Sequence, residues 1–166
     1  MKRGLAYLLT AVLALTCALT ARAQEDVWAK VKEVNMPKKT LAAHWNRIYR
    51  SPMLQEDLLS EGTVSLVQPD RLRWETLKPV NRVTELDGTQ DKGRFRLPQE
   101  KDFKVKVLEG DTYSVQLTPL RRDLKQLVGQ IVLTVEKKTY KLLNVTILGV
   151  DGDWTQITFS QVKMDE

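Results

Sequence analysis

The stretch SEGTVSLVQPDRLRWETLKPVNRVTELDG, residues 60–88, contains two segments in which apolar residues alternate with polar ones. Val64 and Leu66 alternate with hydroxyl side chains in the first segment, and Leu72 and Trp74 alternate with charged residues in the second. Because side chains alternate between the two faces of a strand, each segment predicts a strand with one apolar and one polar face. No candidate nucleophile or metal ligand falls on the apolar side. This pattern favours a surface that holds an apolar ligand over one that transforms it.

The first 23 residues have the pattern of a secretory leader. Two basic residues precede the apolar run Leu5–Leu19, which is short for a membrane span of ~20 residues. Residues 21–23, Ala-Arg-Ala, then show the small-x-small pattern that signal peptidase cleaves. We therefore expect cleavage before Gln24, export, and a single domain over residues 24–166.

Charge and cysteine content argue against several function classes. The net charge of the whole chain is +5, but without the leader 23 Lys and Arg remain against 21 Asp and Glu, a net charge of +2. These basic residues are spread along the chain, so we do not expect nucleic-acid binding. The only cysteine, Cys17, lies within the leader, which excludes a disulfide or a thiolate site in the mature domain. Lipidation of Cys17 is an alternative, but the residues before it match a lipoprotein leader poorly.

The segment after the leader predicts one helix and leaves one element open. Glu25–Asn35 places valines at helical spacing, which predicts an amphipathic helix that covers one side of a sheet or forms a lid over an apolar cavity. Thr40–Tyr49 fits a helix or a strand by its periodicity. His44, the only histidine, lies there without an obvious acid or second histidine, so we expect a surface or packing role.

The C-terminal half predicts strands and one more helix. Two alternating runs, DFKVKVL and TYSVQLT, flank the turn at residues 109–111 and predict a hairpin. Thr118 as a cap and Pro119 as the first helical residue predict a helix that ends near Gly129. The runs QIVLTVEKK, TYKLLNVTILG and WTQITFSQV predict three further strands. The turn at residues 151–153 has two aspartates, but too few further oxygen ligands for calcium.

These elements predict an α+β domain that is mainly antiparallel β. We expect about seven or eight strands in a curved, unclosed half-barrel, with two short helices covering its concave face. Runs such as TVSLV and KLLNVTIL carry apolar residues on both faces, and the helices are too small to cover them all, which predicts an apolar hollow. The residues that we expect to line it are Val64, Leu66, Leu72, Trp74, Val105, Val115, Leu117, Leu133 and Val135. Each of them taken singly could instead be ordinary core, which is the commoner place for such a residue. No catalytic residue, metal or cofactor is expected.

The order of these motifs resembles the LolA family of periplasmic chaperones, which carry lipoproteins to the outer membrane. The resemblance is carried by Ser60 and Gly62, then Pro69, Arg73-Trp74-Glu75, Pro79 and Asp87-Gly88, and by a similar final section over residues 116–163. It implies an unclosed barrel whose hollow takes lipoprotein acyl chains under helices that open and close. It also implies an inner-membrane transporter as donor, an outer-membrane acceptor, a periplasmic location and a monomeric carrier.

Three features of the sequence depart from the family pattern. Gln68 stands where the family often has an arginine that holds the lid closed. The segment between Gly88 and Phe103 is shorter than usual and lacks an apolar helix, and the usual closing strand with Phe and Pro is absent before Glu166. The sequence therefore leaves two rivals to a lipoprotein carrier open. One is a carrier of another apolar ligand such as a glycolipid, and the other is a structural or partner-binding β module of the cell envelope.

Overall fold

The computed structural model describes residues 22–37, 39–67, 71–87 and 100–165. The predicted leader, Gln68 with its family role, and the predicted loop up to residue 99 lie outside the described residues. Helix α1 occupies residues 22–35 of the described chain, which agrees with the predicted N-terminal helix. No helix within these ranges has both the length and the apolar character needed to cross a membrane.

Nine antiparallel strands form a single sheet. They are β1 Thr40–Arg50, β2 Leu58–Val67, β3 Arg71–Lys78, β4 Arg82–Asp87, β5 Phe103–Glu109, β6 Tyr113–Pro119, β7 Val128–Val135, β8 Leu142–Gly149 and β9 Trp154–Met164. Their spatial order is β4-β3-β2-β1-β9-β8-β7-β6-β5, so β4 and β5 lie at the two edges and the sheet is not closed. The prediction of an open, mainly antiparallel half-barrel is confirmed.

The central position of β1 resolves the segment whose periodicity was ambiguous. Its register pairs Ala43 with Val64 of β2 and Trp45 with Phe159 of β9. These partners lie far away in the sequence, and they align apolar side chains across three strands. Long-range pairing of this kind makes Thr40–Arg50 a strand, which its local periodicity alone could not establish.

Two sequence expectations about the elements are wrong. The helix expected from Thr118 is only the single turn α2, Arg122–Lys125, whereas Pro119 is the buried last residue of β6. The backbone N–H of Leu120 donates to the carbonyl of Asp102 at 2.7 Å, which draws the chain toward the short 3-10 helix Glu100–Asp102 and away from a helical path. The sheet also has nine strands where seven or eight were expected. The strand that was not predicted is β4, whose segment shows little apolar alternation.

The two faces of the sheet differ in polarity. On the face that α1 contacts, here called the inner face, valine, leucine, isoleucine and aromatic side chains follow one another across the strands. The opposite, outer face carries polar and charged residues in β1 to β3, with the ion pairs Arg71–Asp87 at 3.2 Å and Arg73–Glu85 at 2.5 Å between β3 and β4. The expectation that TVSLV carries apolar residues on both faces is met by Val67, which is exposed on the outer face while Val64 and Leu66 lie on the inner face.

Candidate functional site: the inner face of the half-barrel

The strand register places all nine residues predicted to line the hollow on the inner face. Val64 lies opposite Trp74, and Leu66 lies opposite Leu72, between β2 and β3. In the other half of the sheet, Val105, Val115, Leu117, Leu133 and Val135 align across β5, β6 and β7. The structure therefore brings the nine residues onto one face, and eight of them belong to one or the other of two apolar clusters, Leu66 being the exception.

The first group, the covered cluster, lies beneath helix α1. Val31 of the helix is buried with Val107, Val115 and Val135, and both Val115 and Val135 are 0% exposed. Val105, Leu117 and Leu133 pack around them and remain half-buried. Five of the nine predicted residues thus belong to a helix-on-sheet core, and a ligand could reach the buried pair only if α1 moved.

Asn35 fixes the C-terminal end of α1 to the sheet. Its side-chain amide donates to the carbonyl of Val31 at 2.8 Å and to that of Tyr140 at 2.7 Å. Its Oδ1 accepts a hydrogen bond from the backbone N–H of Leu142 at 2.8 Å. One side chain therefore joins the last helical turn to the connection before β8, and its three hydrogen bonds make this end a fixed point.

Glu100 holds the middle of the helix from the side. One of its carboxylate oxygens accepts from Trp28 Nε1 at 2.8 Å, and the other forms an ion pair with Lys32 Nζ at 2.6 Å. The hydrogen bond from Lys32, followed by that from Trp28, lowers the pKa of Glu100 below its ordinary value. The side chains of Lys32 and Glu100 are 31% and 51% exposed, so solvent screens this contact and makes it easier to release than the Asn35 attachment.

The second group, the open cluster, consists only of sheet residues within the described part of the chain. Ala43, Trp45 and Val64 are buried, and Leu41, Leu72, Trp74, Ile157 and Phe159 pack around them while remaining half-buried. These half-buried side chains form an apolar surface across β9, β1, β2 and β3. Large apolar groups that stay partly exposed on a concave face are typical of a site for an apolar ligand.

The Trp45–Trp74 pair is the centre of the open cluster. The two indole rings stack with their centroids 4.7 Å apart, and Trp45 Nε1 donates to the carbonyl of Thr63 at 3.0 Å. Gly62 leaves room for this arrangement, because a Cβ there would lie 2.8 Å from the Trp45 ring and 1.9 Å from the carbonyl oxygen of Glu75. The glycine of the Ser-x-Gly motif is therefore explained by packing. It leaves space for the Trp45 ring beside the bulge between β2 and β3.

Sequence reasoning found part of the open cluster and missed the rest. It included Val64, Leu72 and Trp74 of residues 60–88, whereas Leu66 of the same stretch lies on the inner face but outside the cluster. It did not include Leu41, Ala43, Trp45, Ile157 or Phe159, which the structure adds. Ile157 and Phe159 occupy alternate positions of a predicted strand and could have been included. Leu41, Ala43 and Trp45 lie in β1, which could not be assigned from its periodicity.

The titratable groups give no sign of a second site on this face. His44 is exposed on the outer face, where its register partners are Thr63 and Ser160. Among the described residues, no group of three or more His, Cys, Asp and Glu side chains is placed to hold a metal ion. The inner face is mainly apolar, and its register also places Arg47 there, whose Nε donates to Ser60 Oγ at 2.9 Å.

Comparison with known proteins gives matches to solved structures only. No family model and no curated protein matches the chain. It is similar to a proposed outer membrane lipoprotein-sorting protein domain from Vibrio parahaemolyticus, with 11% identity, a TM-score of 0.47, and 86% of this chain and 92% of that chain covered. A LolA superfamily protein from Nitrosomonas europaea matches with 11% identity and a TM-score of 0.38, over 86% of this chain and 94% of that chain.

MucB in its complex with MucA from Pseudomonas aeruginosa also matches, with 13% identity and a TM-score of 0.46. That match covers 85% of this chain but only 56% of MucB. LolA-superfamily structures are thus among the matches. The identities and TM-scores are low, and the fold described above rests on the strand order and register.

Proposed function

We propose that the protein is a carrier that binds the acyl chains of lipoproteins against the open cluster and moves them through the periplasm from the inner to the outer membrane. The observation that carries the proposal is the half-buried apolar surface of the inner face, which in the described residues is formed by the sheet alone. Each methylene that an acyl chain hides there is worth about 0.8 kcal/mol. Binding of this kind needs no catalytic group, and we propose that the protein is not an enzyme.

The geometry also supports a way of taking up and releasing cargo. The covered cluster anchors α1 over one half of the sheet, and Asn35 fixes one end of the helix. Release of the Glu100 contacts would let the helix turn about that end and uncover Val105, Leu117 and Leu133. The binding surface would then extend from the open cluster across the whole inner face.

A matched pair of substitutions on β3 tests the binding surface. Leu72 lies on the inner face in the open cluster, whereas Leu77 is the unpaired residue of the bulge near the end of β3, lies outside the cluster and is 43% exposed. Leu72→Lys should weaken the binding of a fluorescent fatty-acyl probe at least tenfold, because a charge would then face the acyl chain. Leu77→Lys should leave binding unchanged. Equal affinities for the two variants would refute the site.

Trp74→Lys is a second probe of the same surface. Because Trp74 also stacks on Trp45, its loss should reduce stability as well as binding, so Leu72→Lys is the cleaner variant.

The chemistry of the cargo is a separate question with a separate measurement. Protein recovered from the periplasm can be extracted with organic solvent and the extract analysed by mass spectrometry. Triacylated lipoprotein fragments would support the proposed cargo, and glycolipids would identify the other class of apolar ligand. Protein that binds no acyl probe and carries no lipid would instead favour a partner-binding β module of the envelope.

A further inference from the structure

The connections at the two ends of the half-barrel differ in a way that acyl-chain binding does not explain. At one end the chain turns between β1 and β2, β3 and β4, β6 and β7, and β8 and β9. Each of these four connections exposes at least one large apolar side chain. They are Met53 at 92%, Leu54 at 42%, Val80 at 72%, Leu120 at 52%, Leu127 at 71% and Val150 at 57%, here called the apolar rim.

The opposite end has the reverse composition in its two fully described strand connections. Residues 110–112 are Gly-Asp-Thr, and residues 136–141 are Glu-Lys-Lys-Thr-Tyr-Lys. Met36, between α1 and β1, is exposed at that end, at 64%, as are the strand-end residues Val67, Leu108, Leu143 and Met164, at 38–43%. Exposed apolar side chains are common singly, but their concentration on every turn of one end marks an interaction surface.

We propose that the apolar rim docks on the surface of a lipid bilayer. The six side chains lie on four turns that follow one another along the edge of a curved sheet, and polar backbone lies between the turns. A flat, deformable lipid surface can receive all of these tips at once. A protein partner would need a separate pocket for each tip, whereas protein–protein interfaces usually have one continuous buried core.

The neighbours of the rim have the side chains that favour a membrane interface. Trp154 begins β9 behind Val150, with the Arg50 guanidinium 5.2 Å from its ring centroid. Lys78 and Arg82 flank the turn that carries Val80. Tryptophan and long basic side chains place their apolar parts in the interface while their polar ends reach water and phosphate groups.

The charges at this end predict which lipids will be bound. Arg50 is paired with Asp57 at 2.7 Å, and Arg121 is paired with Asp123 at 2.5 Å, so acidic and basic groups largely compensate one another. Docking should therefore be driven by insertion of apolar tips and should depend little on anionic lipid. We expect binding to phosphatidylcholine vesicles as well as to phosphatidylethanolamine–phosphatidylglycerol vesicles, with a weak effect of salt in both cases.

Vesicle flotation of the protein and of single glutamate variants tests the proposal. Met53→Glu and Val80→Glu should each lower the fraction bound, with an affinity reduced roughly tenfold per inserted side chain that is lost. Met36→Glu is the matched control, since it changes an exposed apolar residue at the opposite end and should leave binding unchanged. Equal effects of Met53→Glu and Met36→Glu would overturn the proposal, as would an absence of vesicle binding.

A fluorescent label reports only on its own surroundings. Its signal therefore shows which end of the half-barrel meets the lipid, whether or not the recovered protein retains residues 1–23. Cys17 is the only cysteine, so Cys17→Ser permits a single label at Met53→Cys or at Met36→Cys. Vesicles should shift the emission of the label at position 53 to shorter wavelength and leave that at position 36 unchanged. Labels that stay in water at both positions would overturn the proposal, and self-association seen by light scattering without lipid would assign the rim to a second copy instead.

Bilayer docking by the apolar rim is a different property from cargo binding by the open cluster, and either can be lost without the other. Leu72→Lys should weaken acyl-probe binding at least tenfold while vesicle docking persists. Met53→Glu should weaken docking while the acyl probe still binds.

Discussion

The two halves of the inner face use the same sheet for different purposes. In the β5–β8 half, α1 lies over the sheet, and Val115 and Val135 beneath it are 0% exposed. In the half formed by β9, β1, β2 and β3, the described cluster contains sheet residues only, and its outer members stay half-buried. Alternating apolar residues are present in both halves. The position of one helix therefore decides which half is core and which half is available to a ligand.

The largest expected effect compares one tryptophan from each half. Trp45 is 1% exposed, and Trp45→Ala should lower the free energy of unfolding by about 3–5 kcal/mol because it opens a cavity in the middle of the sheet. Trp28 is half-buried on α1, and Trp28→Ala should cost only about 1–2 kcal/mol. Urea unfolding followed by circular dichroism measures both. A larger cost for Trp28 would mean that the helix, and not the sheet, carries the stability of the domain.

Asn35 offers a smaller effect that is confined to the covered half. Asn35→Ala removes three hydrogen bonds and should cost about 1–3 kcal/mol, since partly buried backbone groups lose the side-chain partner that they share. Amide hydrogen exchange should become faster in α1 while β1 and β2 keep their protection. Asn35→Asp serves as a control that retains an acceptor for Leu142 but loses both donors. Uniformly faster exchange throughout the sheet would show that the two halves are one cooperative unit.

The smallest expected effect is the pH dependence of the Glu100 contact. The folded-state pKa of Glu100 is lowered, first by the hydrogen bond from Lys32 and then by that from Trp28. The contact therefore stabilises the fold above the unfolded-state pKa, and this contribution is lost as the pH falls through the lowered folded-state value. Because the side chain is half exposed, we expect only a few tenths of a kcal/mol.

Glu100→Gln isolates this contribution. The urea midpoint of the variant should lie slightly below that of the unchanged protein near neutral pH. The difference should shrink as the pH is lowered through the folded-state pKa of Glu100. A difference that does not change with pH would show that the carboxylate charge contributes nothing to holding α1.

Period-two alternation predicted the fold class and the face of every proposed site residue, because residues such as Val64, Leu66, Leu72 and Trp74 must share a face whatever their partners are. It could not predict that Val115 and Val135 lie under a helix, since that depends on where α1 packs. It also could not resolve β1, whose register is set by Val64 and Phe159 far away in the chain.

The two wrong expectations have local causes. Thr118-Pro119 has the composition of a helix start, but Pro119 is buried at the end of β6, and the hydrogen bond from Leu120 to Asp102 directs the chain elsewhere. Strand β4 has exposed residues at four of its six positions, as expected for an edge strand, and therefore lacks the apolar alternation that reveals inner strands. The signal available in the sequence was its charge pattern, because Glu85 and Asp87 alternate in β4 just as their partners Arg73 and Arg71 alternate in β3.

The stacked Trp45–Trp74 pair also gives the protein an internal optical probe. Two indoles at 4.7 Å and an interplanar angle of 27° couple their electronic transitions, which should give a distinctive near-ultraviolet circular dichroism band. Trp74 is the half-buried member and lies on the proposed binding surface, so a bound chain that displaces it would change this band and the tryptophan emission together. Cargo loading could then be followed in real time on the unlabelled protein.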